Sequence, residues 1–187
     1  MPPKVKITKE DIIRTAVEIA RQNGADAINA REIAKALGCS TQPVFSNFST
    51  MDDLRYAVVD AADALYREYI TREIDAEKYP AYKASGIAYI RFAKEEKELF
   101  KLLFMRDRSD EPVQSETEET QKMYDLVQNA TGLEDDKVKL FHLEMWAYVH
   151  GIATMTATGY LELQTELVSE MITDAYQGMK KRFETKE

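Results

Sequence analysis

Hydrophobic residues recur every three or four positions along most of this chain, which is the spacing of one buried face of a helix. In the first such segment Ile12, Ala16 and Ala20 share one stripe, Thr8 can cap the helix start, and Gly24 follows its end. The alternation typical of strands does not persist over any length of the sequence. The pattern therefore predicts an all-α protein.

Two short helices joined by a sharp turn are predicted next. Asn29 can cap the first, which ends at Gly38, and Ser40 can cap the second, with Pro43 inside its first turn. Thr50 can cap the following helix, so each short helix has only about two turns. Helices of that length are stable only when packed, so we expect them to lie against the first helix as a helix-turn-helix.

The predicted helices become longer after Thr50, and the polar stretch 106–119 interrupts them as a loop followed by an exposed helix start. We predict a three-helix helix-turn-helix domain at residues 1–49, joined to a helical bundle of about six helices at residues 50–187. The bundle segments are a long helix through Ile70, one or two helices within 81–105, one ending at Gly132, and two final helices at about 135–158 and 163–184.

Composition excludes some locations for the protein. The sequence has no apolar run of about 18 residues, so no membrane span is predicted. The N-terminal segment lacks the apolar core of a signal peptide, and the single cysteine, Cys39, cannot form an internal disulfide. We expect a cytoplasmic protein.

Charge is distributed unevenly along the chain. The formal net charge of −8 by itself disfavours a partner as acidic as nucleic acid. Residues 1–49, however, hold seven basic and five acidic side chains, a balance of +2, which leaves −10 for the remainder. This asymmetry favours a basic N-terminal part, residues 1–49, which we call the head, and an acidic remainder, residues 50–187, which we call the body.

Catalytic and metal-binding patterns are missing from the sequence. His142 and His150 lie eight residues apart, which is too far for a pair of ligands one helical turn apart, so we predict neither a metal site nor a cofactor. The sequence has no Ser-His-Asp spacing, phosphate-binding glycine loop or nucleotide fingerprint, so we predict no enzymatic activity.

Apolar, glycine and cap residues form one pattern over about the first 55 residues. They are Ile12, Ala16, Gly24, Arg31-Glu32-Ile33-Ala34, Leu37-Gly38, Ser40, Val44-Phe45, Phe48 and Leu54. This pattern resembles that of the tetracycline-repressor (TetR) family of transcriptional regulators, because these positions all fall at the spacing of the family. The body is similar more loosely, through RFAKEEKELFKLLF at 91–104 and through residues 146–151, which resemble the Trp-x-x-x-His-Gly signature of one subgroup.

The resemblance implies that the third helix enters the major groove of DNA and that two subunits bind a palindromic operator. Gln42 has the chemistry for a bidentate contact with adenine, and this helix carries no Arg or Lys for guanine, so we expect A·T pairs in the operator there. The DNA-binding residues implied or expected are Lys4, Lys6, Arg31, Thr41, Gln42, Phe45, Ser46 and Asn47.

Two positions depart from the family pattern. Phe45 stands where members usually have Tyr, and Met51 where they often have Lys, and both family residues commonly hold phosphates. Loss of these groups removes backbone contacts, which contribute much of DNA affinity. Arg31 and the lysines at positions 4, 6, 9 and 35 are the expected replacements.

The resemblance also implies a ligand-responsive repressor that a small apolar or aromatic effector releases from DNA. The predicted domain at 50–187 would sense the ligand and would form a homodimer through the last two helices. The predicted effector residues are Tyr89, Phe92, Phe100, Phe104, Trp146 and His150.

Structural roles for these residues and other classes of protein stay open as alternatives. The aromatic residues and methionines of the body can equally form its core, and His150 can be a packing residue. The chain can also be a helical protein that lost DNA binding and acts through protein partners, a hypothesis favoured by Phe45, Met51 and the acidic total. A helical small-molecule carrier or enzyme is a further alternative.

Overall fold

The computed structural model describes residues 7–107, 109 and 117–184, and within them all regular secondary structure is helical. This confirms the predicted all-α class, with three helices in the head followed by six. The helices are α1 (Lys9–Asn23), α2 (Ala30–Ala36), α3 (Gln42–Asn47), α4 (Met51–Asp75), α5 (Ala81–Glu95), α6 (Lys97–Phe104), α7 (Glu118–Thr131), α8 (Asp135–Ala157) and α9 (Thr165–Glu184). Sequence analysis missed a 3₁₀ turn at Ala25–Ala27.

The chain forms two compact units. The first contains Met1–Tyr66 and Glu96–Arg106, and the second contains Arg67–Glu95 and Asp107–Glu187. Helix α6 therefore belongs to the same unit as the helix-turn-helix, although it lies far beyond residue 49. The predicted loop at 106–119 lies largely outside the described residues.

Local capping fixes the start of α1 as predicted. The backbone N–H of Asp11 donates to Thr8 Oγ1 at 3.1 Å, and the Asp11 carboxylate accepts from the backbone N–H of Thr8 at 3.1 Å. The reciprocal pair satisfies two N–H groups that have no partner within the helix. At the other end Gly24 adopts a φ of 82°, where a side chain would be strained.

The turn between α2 and α3 confirms one predicted cap and corrects another. Asn29 Oδ1 accepts from the backbone N–H groups of Arg31 and Glu32, as expected for the start of α2. Ser40 was predicted to cap α3, and that prediction is wrong, because the N-cap is Thr41 and its side chain makes no capping hydrogen bond. Pro43 in the first turn lacks an N–H and fixes a helical φ, which reduces the need for a cap.

Helix α6 packs against α1 within the first unit. Its apolar residues Leu99, Phe100 and Leu103 are buried. Its N-cap residue, Glu96, accepts a hydrogen bond from Arg21 Nε of α1 at 2.7 Å. The Glu96 side chain is only 13% exposed, so this ion pair is more shielded from water than a typical surface pair.

We expect Glu96→Gln to lower the free energy of unfolding by about 1 to 2 kcal/mol, because the Arg21 guanidinium then faces a neutral amide oxygen in place of a carboxylate in partly buried surroundings. Urea denaturation followed by circular dichroism measures the change. Glu98→Gln is the matched control, since Glu98 lies at the same helix start and its partner Lys101 is only three residues away. We expect a loss below about 0.5 kcal/mol there, and equal losses in the two variants would contradict the assignment.

The second unit is organised around α5. This helix packs against α7, α8 and α9. Gly86 allows the close approach, because a Cβ atom at this position would lie 3.6 Å from Ile172 Cδ1 and 3.6 Å from Val149 Cγ2. Phe92 of α5 and Phe141 of α8 are fully buried in the core of this unit.

Within the described residues, no helix is both long and apolar enough to cross a lipid bilayer.

Candidate DNA-binding surface and ligand-binding residues

Helix α3 divides its side chains between a buried and an exposed face. Val44 is 1% exposed and Phe48 is 5% exposed, which anchors the helix to the first unit. Gln42, Phe45 and Ser46 lie on the other face, and Phe45 is 58% exposed although it is aromatic. Phe45 is therefore accessible at the surface of the first unit.

Some of the predicted DNA-binding side chains already make hydrogen bonds within α3. Ser46 Oγ donates to the Gln42 carbonyl at 2.9 Å, and Asn47 Nδ2 donates to the Pro43 carbonyl at 2.8 Å. Thr41 is half-buried at the N-cap position. Gln42 and Phe45 are therefore the side chains of α3 best placed to reach outward.

Positive charge near α3 comes from neighbouring helices. Arg31 is exposed in the first turn of α2, and Lys9 Nζ of α1 lies 5.0 Å from the centre of the Phe48 ring. Lys35 Nζ lies 3.9 Å from Glu32, which offsets part of its charge. Lys4 and Lys6, which were predicted to reach DNA, lie outside the described residues.

Sequence analysis did not single out Tyr56 of α4, whose side chain is 64% exposed. It lies in the same unit as α3 and carries the phenolic hydroxyl that Phe45 lacks. The sequence could have indicated its exposure, because Tyr56 does not lie on the apolar face of α4 that contains Leu54 and Val58. Both of those residues are fully buried.

Three of the predicted effector residues lie together in the second unit. The ring centres of Trp146 and His150 are 4.9 Å apart with an interplanar angle of 19°, so the two rings stack. Tyr89 is hydrogen-bonded through its hydroxyl to His150 Nδ1 at 2.8 Å. Trp146 remains 42% exposed, so this aromatic cluster is open to solvent at one end.

The other three predicted effector residues have different surroundings. Phe92 is fully buried and contacts the edge of the Tyr69 ring, with 5.3 Å between ring centres. Phe100 and Phe104 belong to the first unit, where their ring centres are 5.1 Å apart. Phe104 also contacts Tyr66 of α4, with 5.2 Å between ring centres. These contacts account for Phe92, Phe100 and Phe104 as packing residues, and an effector role for them stays a prediction.

A second Tyr-His pair lies on the same two helices as the first. The Tyr82 hydroxyl of α5 is hydrogen-bonded to His142 Nδ1 of α8 at 3.1 Å. The His142 ring also meets the edge of the Tyr124 ring, with 5.8 Å between ring centres. Sequence analysis considered His142 only as a metal ligand and did not predict this pairing.

Burial makes both histidines weaker bases. It lowers the pKa of His142 and the pKa of His150 below the ordinary value of 6.5. Burial also raises the pKa of the Tyr82 hydroxyl, which therefore stays protonated beside His142. Burial therefore favours the neutral form of both imidazoles.

Stability is expected to fall as the pH is lowered below about 7. The unfolded histidines bind protons near their ordinary pKa of 6.5 while the folded ones do not, so their contribution is complete above that pKa and is lost as pH falls through it. Urea denaturation at pH 7.5 and pH 5.5 measures the difference, and His142→Gln should make it smaller. A wild-type chain that becomes more stable at pH 5.5 would reverse the expected sign.

The described residues contain no group of three His, Cys, Asp or Glu side chains that could hold a metal ion.

Two family profiles match the chain. Residues 12–58 match the family described as bacterial regulatory proteins, tetR family, and residues 82–176 match the tetracyclin repressor-like C-terminal domain. The second match includes Trp146 and His150, although the subgroup signature itself stays a prediction. No protein with a curated description matches the chain.

Solved structures share the fold at low sequence identity. A TetR-like transcriptional regulator from Rhodococcus sp. RHA1 is 14% identical over 100% of both chains, with a TM-score of 0.66. A protein of unknown function from Rhodococcus sp. RHA1 is 20% identical over 97% of this chain and 98% of the other, with a TM-score of 0.70. The multidrug binding protein EbrR, solved with imidazole, is 14% identical over 89% of this chain and 88% of its own, with a TM-score of 0.58.

The anchored α3 with its exposed outer face, together with an all-helical second unit, defines a helix-turn-helix regulatory protein. The family profiles that match residues 12–58 and 82–176 agree with that class of protein. The chain belongs to the TetR family. Members of this family are ligand-responsive, DNA-binding transcriptional regulators.

Proposed function

We propose that this protein is a repressor that binds a palindromic operator as a dimer and leaves it when a small apolar or aromatic effector binds. The observation that carries the proposal is the outer face of α3, where Gln42 is exposed and Phe45 is 58% exposed. The anchoring residues Val44 and Phe48 hold this face rigidly, as a helix that enters the major groove requires.

DNA recognition is proposed to divide between base and backbone contacts. Gln42 reads adenine, while Thr41 and Phe45 contact thymine methyl groups. Arg31, with the lysines at positions 4 and 6, contacts phosphates, and Ser46 and Asn47 complete the surface. The outward placement of Gln42 and Phe45 supports the first assignment, and the exposure of Arg31 supports the second.

Selection of binding sites from random DNA tests this function. We expect enrichment of a palindrome whose half-sites carry A·T pairs where α3 lies, because this helix has no Arg or Lys to read guanine. G·C pairs at those positions would reject the assignment of α3. A failure to enrich any site, together with no gel shift on DNA upstream of the protein's own gene, would reject DNA binding.

Phe45→Tyr is expected to tighten operator binding by roughly 3- to 10-fold, because the ring keeps its contact with the thymine methyl group while the hydroxyl added at its far end can donate to a phosphate. A hydroxyl carries no charge, so the dependence of log Kd on log salt concentration should not change. Gel-shift titration at two salt concentrations measures both quantities. Phe45→Leu is the control without a hydroxyl, and equal tightening in both variants would contradict a phosphate contact.

We also propose that α8 and α9 form a two-fold homodimer interface. Leu140 and Leu143 of α8 and Leu167 of α9 are large apolar side chains that are 47%, 57% and 46% exposed. Ala153 and Ala157 of α8 are buried within their own unit, so neither contributes surface to such an interface. The interface is therefore proposed on the leucine face, and sedimentation as a monomer at micromolar concentration would contradict it.

The effector is proposed to act on the balance between two states of the dimer. Residues 1–49 serve as the DNA-binding domain, and residues 50–187 bind the effector and form the dimer. An effector that binds the DNA-free state more tightly shifts the fourth helix, alters the separation of the two heads and weakens operator binding. The cluster of Tyr89, Trp146 and His150 supports an aromatic effector, and the crystallised relative EbrR was solved with the aromatic molecule imidazole.

Repression also sets the proposed location of the protein. Because it acts on genomic DNA, we place it in the cytoplasm.

A protein that instead acts through protein partners is the second candidate, favoured by Phe45, Met51 and the net charge of −8. The site-selection experiment separates the two candidates, since only the repressor enriches a palindrome.

A further inference from the structure

The second unit contains a buried ion pair between α4 and α5. Arg91 Nη1 of α5 lies 2.5 Å from Glu73 Oε2 of α4. Within the part of the chain that the structure describes, Glu73 is the only charged residue that is buried, with 5% of its surface exposed. Replacing a buried ion pair by apolar side chains of similar volume is often neutral or stabilising, and the best-attested use of such pairs is to specify how helices pair. A role in helix pairing is therefore a better explanation for this pair than stability.

A second contact joins the same two helices. The Tyr69 hydroxyl of α4 donates to Glu95 Oε2 of α5 at 2.9 Å. Tyr69 precedes Glu73 by four residues, and Arg91 precedes Glu95 by four, so the two contacts lie about one turn apart on both helices. Because the order of the partners is reversed, α4 and α5 run in opposite directions past these contacts.

A slip of one helical turn between α4 and α5 would break both contacts. In one direction Glu73 would meet Glu95, which brings two carboxylates together. In the other direction Glu73 would meet the position of Ile87, which is apolar and only 2% exposed, and a buried charge without a partner is costly. The two contacts therefore specify one register of α4 on α5.

Helix α5 also carries residues of the proposed effector site. The hydroxyl of Tyr89, two residues before Arg91, is hydrogen-bonded to His150 Nδ1 at 2.8 Å. Phe92, the residue after Arg91, contacts the edge of the Tyr69 ring, with 5.3 Å between ring centres. The ion pair therefore involves the same stretch of α5 as the side chains on which an effector would act.

Helix α4 extends beyond the second unit. It is continuous from Met51 to Asp75, and its residues up to Tyr66 belong to the first unit, which also contains α3. Rigid helices transmit a displacement along their length. We propose that Glu73 and Arg91 are positioning residues, which hold α4 in one register on α5 so that α4 follows α5 when an effector binds. This inference rests on the proposed function, since it names the contact through which the effector acts on α4.

The operator can replace the unidentified effector as the probe of this coupling. Coupling between two binding sites is reciprocal, so we expect operator binding to change the surroundings of the proposed effector site. Trp146, which stacks on His150 in that site, is the single tryptophan of the chain. The experiment measures how acrylamide quenches the emission of Trp146 in the full-length protein, with the selected operator and with random DNA.

The conditions keep association and occupancy constant. Sedimentation first sets a protein concentration at which the dimer is complete, so that Trp146 does not report association. The anisotropy of labelled operator gives the occupancy, and all proteins are compared at equal saturation. In the wild type we expect the operator, and not random DNA, to change the quenching constant of Trp146.

The double variant Glu73→Leu/Arg91→Met separates register from stability. Two apolar side chains fill the space but attract each other in any register, so the fold is kept while α4 is free to slip. We expect this variant to bind the operator and to lose roughly half or more of the Trp146 response. Glu73→Gln keeps the shape of the side chain without its charge, and a loss in the same direction is expected there if the double variant does not fold. Circular dichroism verifies the folding of each variant.

Arg67→Gln is the matched control on α4. Arg67 pairs with Glu119 at 2.6 Å, but the two side chains are 53% and 48% exposed, so this pair contributes little. The Trp146 response of Arg67→Gln should equal that of the wild type. Equal losses in this control and in the double variant would overturn the proposal. A full response in the double variant, or a wild type that does not respond to the operator, would overturn it as well.

A measurement without DNA separates this inference from the proposed function. Amide hydrogen exchange of residues 67–75 reports how firmly α4 is held in the second unit. We expect Glu73→Gln to accelerate exchange there by roughly threefold or more, while Arg67→Gln leaves it within about twofold. Unchanged exchange in Glu73→Gln would overturn the proposal even in a protein that binds its operator. Failure to enrich any operator, by contrast, rejects the proposed function, and the exchange measurement then decides the register by itself.

Discussion

Gln42→Ala is expected to weaken binding to the selected operator by roughly 5- to 150-fold, since a bidentate contact with adenine contributes about 1 to 3 kcal/mol of discrimination. The side chain is exposed at the first position of α3, so its removal creates no cavity in the protein. The loss should therefore appear in DNA binding and not in the free energy of unfolding. This separates a recognition role from a structural one.

The form of the loss identifies a base contact. Because glutamine carries no charge, the slope of log Kd against log salt concentration should be unchanged, and binding to random DNA should weaken little. Gel-shift titration with the selected operator and with random DNA measures both. Gln128→Ala, an exposed glutamine of α7, is the matched control and should leave operator affinity within twofold. Equal weakening on operator and random DNA would show that Gln42 does not read bases.

The largest loss of stability is expected for Phe141→Ala, which should lower the free energy of unfolding by about 3 to 5 kcal/mol. Phe141 has no exposed surface. Its ring meets those of Tyr176 and Phe183 edge to face, with 5.6 and 5.7 Å between ring centres. Replacement removes apolar contact on several sides and leaves a cavity that rigid neighbours cannot fill.

Urea denaturation followed by circular dichroism measures this change. Tyr160→Ala is the control, because Tyr160 is an aromatic residue of the same unit that is 78% exposed, and its loss should stay below about 1 kcal/mol. Phe141→Leu retains most of the volume and should cost about 1 to 2 kcal/mol, so a folded variant is available even where alanine abolishes folding. Similar losses for Phe141→Ala and Tyr160→Ala would show that Phe141 does not anchor the core.

Local interactions made much of the head predictable. The caps at Thr8, Asn29 and Thr50 each join atoms within three residues, so the residue types alone indicated them. Gly24 and Gly38 adopt φ values of 82° and 64°. Because glycine adopts such values more readily than other residues, these two glycines indicated the helix ends in the sequence. The start of α3 was misplaced at Ser40, because Pro43 stabilises that turn without a side-chain cap and so weakens the signal.

The surroundings of the predicted effector residues were less predictable, because aromatic residues at helical spacing form both cores and sites. Tyr89 and His150 are 61 residues apart, and their hydrogen bond depends on how α5 packs against α8. Phe100 and Phe104 have the same residue type and spacing as site residues, yet both pack in the first unit. Periodicity shows that such a residue lies on an apolar face without showing which element covers that face.

The sequence by itself determined the helical class, the first three helices and the outward face of α3, because these depend on contacts within about four residues and on apolar periodicity. Only the tertiary structure decided that α6 joins the head, where Glu96 meets Arg21 across 75 residues. It likewise decided which aromatic rings gather around Trp146. Such pairings arise when whole helices pack, and the energy that selects one packing is spread over many side chains that are distant in the chain.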